Sequence, residues 1–159
     1  MKGIEILKLA ASIVICLLAG FIGSIFTNRS ITTWYASLKK PSFNPPDWLF
    51  GPVWTILFLL MGISLFLIWR KGLNSQLVKI ALIIFGAQLI LNILWSFLFF
   101  TLRAPLAGFI EIVILWFAIL LTILSFYKIS QLAAILLIPY ILWVSFASVL
   151  NFFLWRLNA

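Results

Sequence analysis

The chain has 159 residues, is 65% hydrophobic and only 9% charged, and its mean hydropathy is +1.26. A soluble domain of this length cannot hide so much apolar surface, so the solvent that fits it is a lipid bilayer. The net charge of +8 does not point to nucleic acid, because the basic residues lie singly or in pairs beside apolar runs, where they snorkel to headgroups. With no histidine, one cysteine (Cys16) and three acids, the chain cannot build a zinc site, an internal disulfide, a histidine-ligated haem or much paired-carboxylate chemistry.

The first apolar run, at 6–26, follows Lys2 and Lys8 as a signal peptide would. It is long for such a segment and no clean small-x-small cleavage site follows, so a retained span is expected. Within it, Ala19-x3-Gly23 and Gly20-x3-Ser24 are small pairs that allow close helix approach, inside the bundle or in a dimer; Ala104-x3-Gly108 is a third. Next comes a loop at 34–46 with Lys39, Lys40, three prolines and the rings of Trp34, Tyr35 and Phe43. A loop so stiff and aromatic is expected to cover something, as a lid, rather than only to connect.

The second span, at 46–69, opens on Pro45-Pro46-Asp47. Proline suits a helix start and an acid there meets the positive end of the helix dipole. Gly51-Pro52, one turn further in, is expected to bend this helix. The third span, at 79–102, and the fourth, at 105–127, are joined so briefly around Arg103 that they must be antiparallel neighbours, with Pro105 opening the fourth. Glu111 is expected to reach toward Arg103 or the headgroups rather than line a pathway. In the fifth span, at 130–155, Pro139 is expected to kink the helix and free a carbonyl near Ile135.

Each run is about 18 residues or longer, enough to cross roughly 30 Å of hydrocarbon as a helix. The expected fold is therefore an all-α, multi-pass integral membrane protein. It forms one domain over 1–159, a five-helix bundle with the long loop between helices one and two as a lid. Six basic residues on one side against five on the other do not set an orientation.

Five spans put loop one, loop three and the C-terminus on one side. Counted at 1.5 Å per residue, Trp54, Asn92, Trp95 and Trp143 then fall at similar depths, roughly 10–18 Å below that side. Asn92, Trp95, Ser96 and Phe99 share one helical face, and Trp143, Ala147 and Leu150 share another. Two readings stand for this convergence. Asn92 bonds a neighbouring helix while the rings fill core volume, or the rings wall a pocket for a flat apolar ligand.

Five motifs, in order, resemble the translocator protein family. They are Trp34-Tyr35, Lys40-Pro41-Ser42-Phe43-Asn44-Pro45-Pro46, Gly51-Pro52-Val53-Trp54-Thr55, Leu91-Asn92-Ile93-Leu94-Trp95-Ser96 and Pro139-Tyr140-x2-Trp143-x2-Phe146-Ala147-x2-Leu150-Asn151. Bacterial members of that family are the tryptophan-rich sensory proteins (TspO), and the mitochondrial member is the peripheral benzodiazepine receptor. The resemblance implies a bundle, often a homodimer, in a prokaryotic cell membrane. It implies a pocket for porphyrins such as protoporphyrin IX, or for benzodiazepine-type and other small hydrophobic ligands. It requires no cofactor. Its ligand-binding residues would be Trp34, Tyr35, Trp54, Asn92, Trp95, Trp143, Phe146, Ala147 and Leu150, with no catalytic or metal-binding set. The only reaction it implies is light- and oxygen-dependent porphyrin breakdown. Transport of porphyrin, sterol or similar molecules is the alternative. The family's sterol motif is met by Leu150 and Arg156, with Phe152 where that motif has tyrosine.

Overall fold

The computed structural model describes residues 1–159. Its helices are α1 (Gly3–Asn28), α2 (Trp34–Ser37), α3 (Asp47–Trp69), α4 (Gln76–Ser96), α5 (Pro105–Tyr127), α6 (Gln131–Ile135) and α7 (Ile138–Asn158), and a π-helical turn, Phe97–Thr101, extends α4. Five stretches are long and apolar enough to cross a membrane: α1, α3, α4 with its π turn, α5, and α6–α7 taken together. Helices suit that solvent because they satisfy their own backbone polar groups where no water can. Phe21, Ile83, Ile90, Phe117 and Leu142 project outward, the surface expected of a protein solvated by acyl chains.

Polar ties mark the two ends of the bundle. At one, Arg70 pairs with Glu5 at 3.2 Å, joining the end of α3 to the start of α1. At the other, the Ser30 hydroxyl donates to the Phe100 carbonyl at 2.7 Å. There too the Lys39 amide donates to Asn158 Oδ1 and Asn158 Nδ2 donates to the Lys39 carbonyl, each at 2.9 Å. Loop one, the turn after α4 and the C-terminal end of α7 therefore share a side, as five spans require.

The small residues of α1 and α5 face inward, onto other helices of the same chain. A Cβ on Gly20 would stand 2.6 Å from the Phe58 ring, and one on Gly23 would meet Ser96 Oγ at 3.3 Å. Gly108 is pressed between Phe99 and Asn151. The tightest backbone approach is elsewhere, at Gly62, where a Cβ would lie 2.7 Å from Ile13 Cα.

Two local expectations need correction. Glu111 does not reach the headgroups: it is 5% exposed, and neither carboxyl oxygen meets a donor. It lies on the stripe Gly108, Glu111, Ile112, Leu115, Ile119, whose helical spacing turns it into the bundle against α4 and α7. Pro139 breaks the last span instead of kinking it, because α6 stops at Ile135 and α7 restarts with the proline in its first turn, where a missing N–H costs nothing. α3 runs through Pro52 as one helix, with the Thr55 hydroxyl donating to the Gly51 carbonyl at 2.9 Å.

The π turn was not foreseen. Its wide winding sends the Leu102 amide to Phe97 and the Ala104 amide to Leu98, and it ends with Arg103 at φ +52. Phe99 and Phe100, adjacent in sequence, are both buried there. The Phe100 carbonyl takes its hydrogen bond from Ser30, so the π turn and loop one are joined directly.

Candidate functional site

Tyr140 organises the floor of the site. Its hydroxyl donates to Gln88 Oε1 at 2.8 Å and accepts from Asn92 Nδ2 at 2.7 Å. All three side chains are buried, and exchanging such bonds for silence in hydrocarbon would leave each group with its full desolvation cost. One turn above Asn92, the Trp95 indole donates to Asn151 Oδ1 at 2.9 Å, and Asn151 Nδ2 donates to the Pro105 carbonyl at 2.8 Å. These bonds lock α4, α5 and α7 together and fix the Trp95 indole in place. Trp95 also stacks on Phe99, centroids 5.4 Å apart at 19°.

Above this floor lies a cavity of about 660 Å³. Trp54 of α3, Asn92 and Trp95 of α4, and Trp143, Ala147 and Leu150 of α7 line it, as does Tyr35 of loop one. Seven of the nine residues expected at a site therefore surround one space. Asn92 bonds across helices, and the rings beside it leave a cavity.

Trp34 and Phe146 do not line it. Trp34 packs edge-on to Phe99 at 5.5 Å, behind the wall. Phe146 sits between Trp143, at 5.4 Å, and Phe43 of loop one, at 6.2 Å. Of the two neighbours Trp34 and Tyr35, it is Tyr35 that meets the cavity, and its hydroxyl donates to Asn44 Oδ1 at 2.9 Å. Burial pushes the Tyr35 phenol up to about 12, Asp47 adds to the rise, and the Asn44 bond opposes it. It is a neutral donor at ordinary pH.

Sequence reasoning missed the wall made by α1. Leu17, Gly20, Gly23, Ser24 and Thr27 all line the cavity, and the signal was present as small residues read only as packing motifs. Asp47, Trp48 and Gly51 of α3 were missed as well. Phe21 and Trp48 both line the cavity and stand 61% and 71% exposed, so the cavity reaches the outer surface between the loop-one ends of α1 and α3. Gly20 and Phe58, in contact with each other, belong to the lining, and deeper still, below that slot, the Gly62–Ile13 contact closes the two helices on each other.

The two lysines of loop one are not part of the lining. Lys40 Nζ lies over the Tyr35 ring, 4.8 Å from its centroid, and donates to the Ala36 and Leu38 carbonyls. The buried N–H of Trp143 meets no acceptor within the protein. Trp116, by contrast, lies away from the cavity and donates to Ser145 Oγ at 2.7 Å.

The chain resembles known proteins along nearly its whole length. Residues 12–156 match the TspO/MBR family. The chain is 51% identical to the tryptophan-rich protein TspO of Archaeoglobus fulgidus, over 98% of this chain and 99% of that one. It is 49% identical to the protein of the same name from Chlorobaculum tepidum, over 97% and 98%. It is 37% identical to the human translocator protein, over 87% and 82%. Its five apolar helices make it a multi-pass membrane protein, and close similarity to bacterial and archaeal relatives fits a prokaryotic membrane. The chain belongs to the TspO/MBR family.

Proposed function

We propose that the chain is a membrane receptor that holds porphyrins, protoporphyrin IX among them, and similar flat apolar ligands in the cavity below loop one. The observation that carries this reading is the cavity's size and lining together. At about 660 Å³ it falls within the usual range for small-molecule sites, roughly 300–1,000 Å³, and Trp54, Trp95 and Trp143 stand on its walls. Indole rings bury a planar macrocycle through area and quadrupole contacts and require no metal ligand. The unpartnered Trp143 N–H supplies a donor for an acceptor on the ligand. In this reading loop one is the lid, with Tyr35 as its inner face. Propionates would stay at the headgroup level, because neither Lys39 nor Lys40 lines the cavity.

Protoporphyrin IX is expected to quench the tryptophan fluorescence of purified protein saturably. Trp143→Phe is expected to weaken that binding several-fold, whereas Trp116→Phe leaves the affinity unchanged. Equal effects at the two positions would remove the cavity from consideration as the binding site. A second reading, transport of the same ligands, is favoured by the break between α6 and α7, a natural hinge in a membrane span. Ligand-dependent accumulation inside sealed proteoliposomes would favour it over simple binding.

A further inference from the structure

The cavity lining holds one ionisable carboxyl group, that of Asp47, and no lysine or arginine. Asp47 stands at the mouth, at the start of α3, and has no ion-pair partner: the one ion pair in the molecule joins Arg70 and Glu5 at the opposite end. Nearby cations are committed elsewhere or turned outward. Lys40 is held over Tyr35 by two loop carbonyls, and Arg29 and Lys39 are exposed and outside the lining. Beside Asp47 on the mouth are the rings of Tyr35 and Trp48. An exposed, unpaired carboxylate in a lining that also carries aromatic rings is chemistry that suits an ammonium group.

Distance sets the rest of the ligand. Trp54 is seven residues further along α3, roughly 10 Å at the helical rise, about the length of two or three fused rings. Asp47 begins α3 at the loop-one end of the bundle, while Phe21 of α1 lines the same cavity and is exposed, so a molecule dissolved in the bilayer with its charged end at the headgroups would enter with that end toward Asp47.

We infer that the cavity takes lipophilic amines, with a flat aromatic body among Trp54, Trp95 and Trp143 and a cationic end against Asp47. This rests on the binding reading above and adds a preference that porphyrin dianions do not share. Asp47 opposes a carboxylate at the mouth and favours an ammonium there.

The test uses three anthracenes that differ only in one substituent: aminomethyl, methyl or carboxymethyl. Each is titrated against full-length protein in zwitterionic nanodiscs, with tryptophan quenching as the readout. Wild type is expected to bind the amine about two- to fivefold more tightly than the methyl compound, the size of a partly screened charge pair. The carboxymethyl compound binds weakest, and added salt narrows the differences. Asp47→Asn is expected to erase the preference, leave the methyl compound unchanged and tighten protoporphyrin binding; Asp47→Glu is expected to keep the preference. Pro46, not Asp47, caps α3, and no side chain makes a capping bond there, so the change removes none, and unchanged thermal unfolding verifies the fold. Equal binding of amine and methyl compounds to wild type, or a preference that survives Asp47→Asn, overturns the inference. If protoporphyrin still saturates the protein in that case, the receptor reading stands without it. If amine binding depends on Asp47 while protoporphyrin does not bind, the amine subsite stands and the porphyrin reading falls.

Discussion

Glu111 and Tyr140 show how differently a polar residue fares inside a bundle. Tyr140 donates and accepts, through Gln88 and Asn92, so its burial adds order to the cavity floor. Glu111 is buried on α5 with no donor to either oxygen, and such a group costs free energy without return. Glu111→Met, similar in volume and without polar atoms, is expected to stabilise the fold by about 1–3 kcal/mol. Thermal unfolding in detergent checks this, and a lower midpoint in the variant would mean that the carboxyl group has a partner that matters. At the mouth, Trp34 and Tyr35 are neighbours with separate tasks: Trp34 supports Phe99 from behind, and Tyr35 meets the cavity.

Among the helices, close approach is concentrated in a few glycines. Gly62 allows α3 to lie against the backbone of α1 at Ile13, which fixes the lower closure of the slot. Gly62→Ala is expected to force the two helices apart and destabilise the protein by about 1–3 kcal/mol, the usual cost of overpacking. Gly86 sits inside α4 with open space around it, so Gly86→Ala should be neutral or stabilising by up to about 1 kcal/mol through helix propensity. Unfolding midpoints of the two variants give the comparison, and equal losses would mean the α1–α3 contact is not what Gly62 serves. The π turn acts at the same scale: by turning both Phe99 and Phe100 inward it offers loop one a buried surface on which Trp34 and Tyr35 settle.

For the molecule as a whole, the ties at Ser30–Phe100 and Lys39–Asn158 hold loop one across one end of the bundle. If that loop is the lid, its inner residue governs escape of the ligand. Tyr35→Ala is therefore expected to speed dissociation of bound protoporphyrin about tenfold or more, and Trp34→Ala to a smaller extent because its effect passes through Phe99. Stopped-flow dissociation measures both, and wild-type rates in Tyr35→Ala would mean that ligand leaves by the slot between α1 and α3 without moving the loop. A homodimer, as the resemblance implies, would have to form through outward surfaces, since Ala19, Gly23 and Gly108 are buried within one chain.

Span number, span length and the shared faces of Asn92 with Trp95, and of Trp143 with Ala147, were determined by the sequence alone. The reason is local: a helix crossing hydrocarbon needs only apolar length and its own hydrogen bonds, and residues three and four apart fall together whatever surrounds them. Which side of each helix faces lipid was a different matter. Segments apolar all round carry no contrast between faces, so α1's place in the cavity wall, the burial of Glu111 and the inward turn of Tyr35 rather than Trp34 were decided by tertiary packing. The π turn belongs there too, because its winding answers to Ser30 and the rings of loop one, some seventy residues away in the chain. Asp47 carried both kinds of information. Its position at a helix start was legible from Pro45-Pro46, while its isolation at the mouth of an aromatic cavity exists only once α1, α3 and loop one are assembled around it.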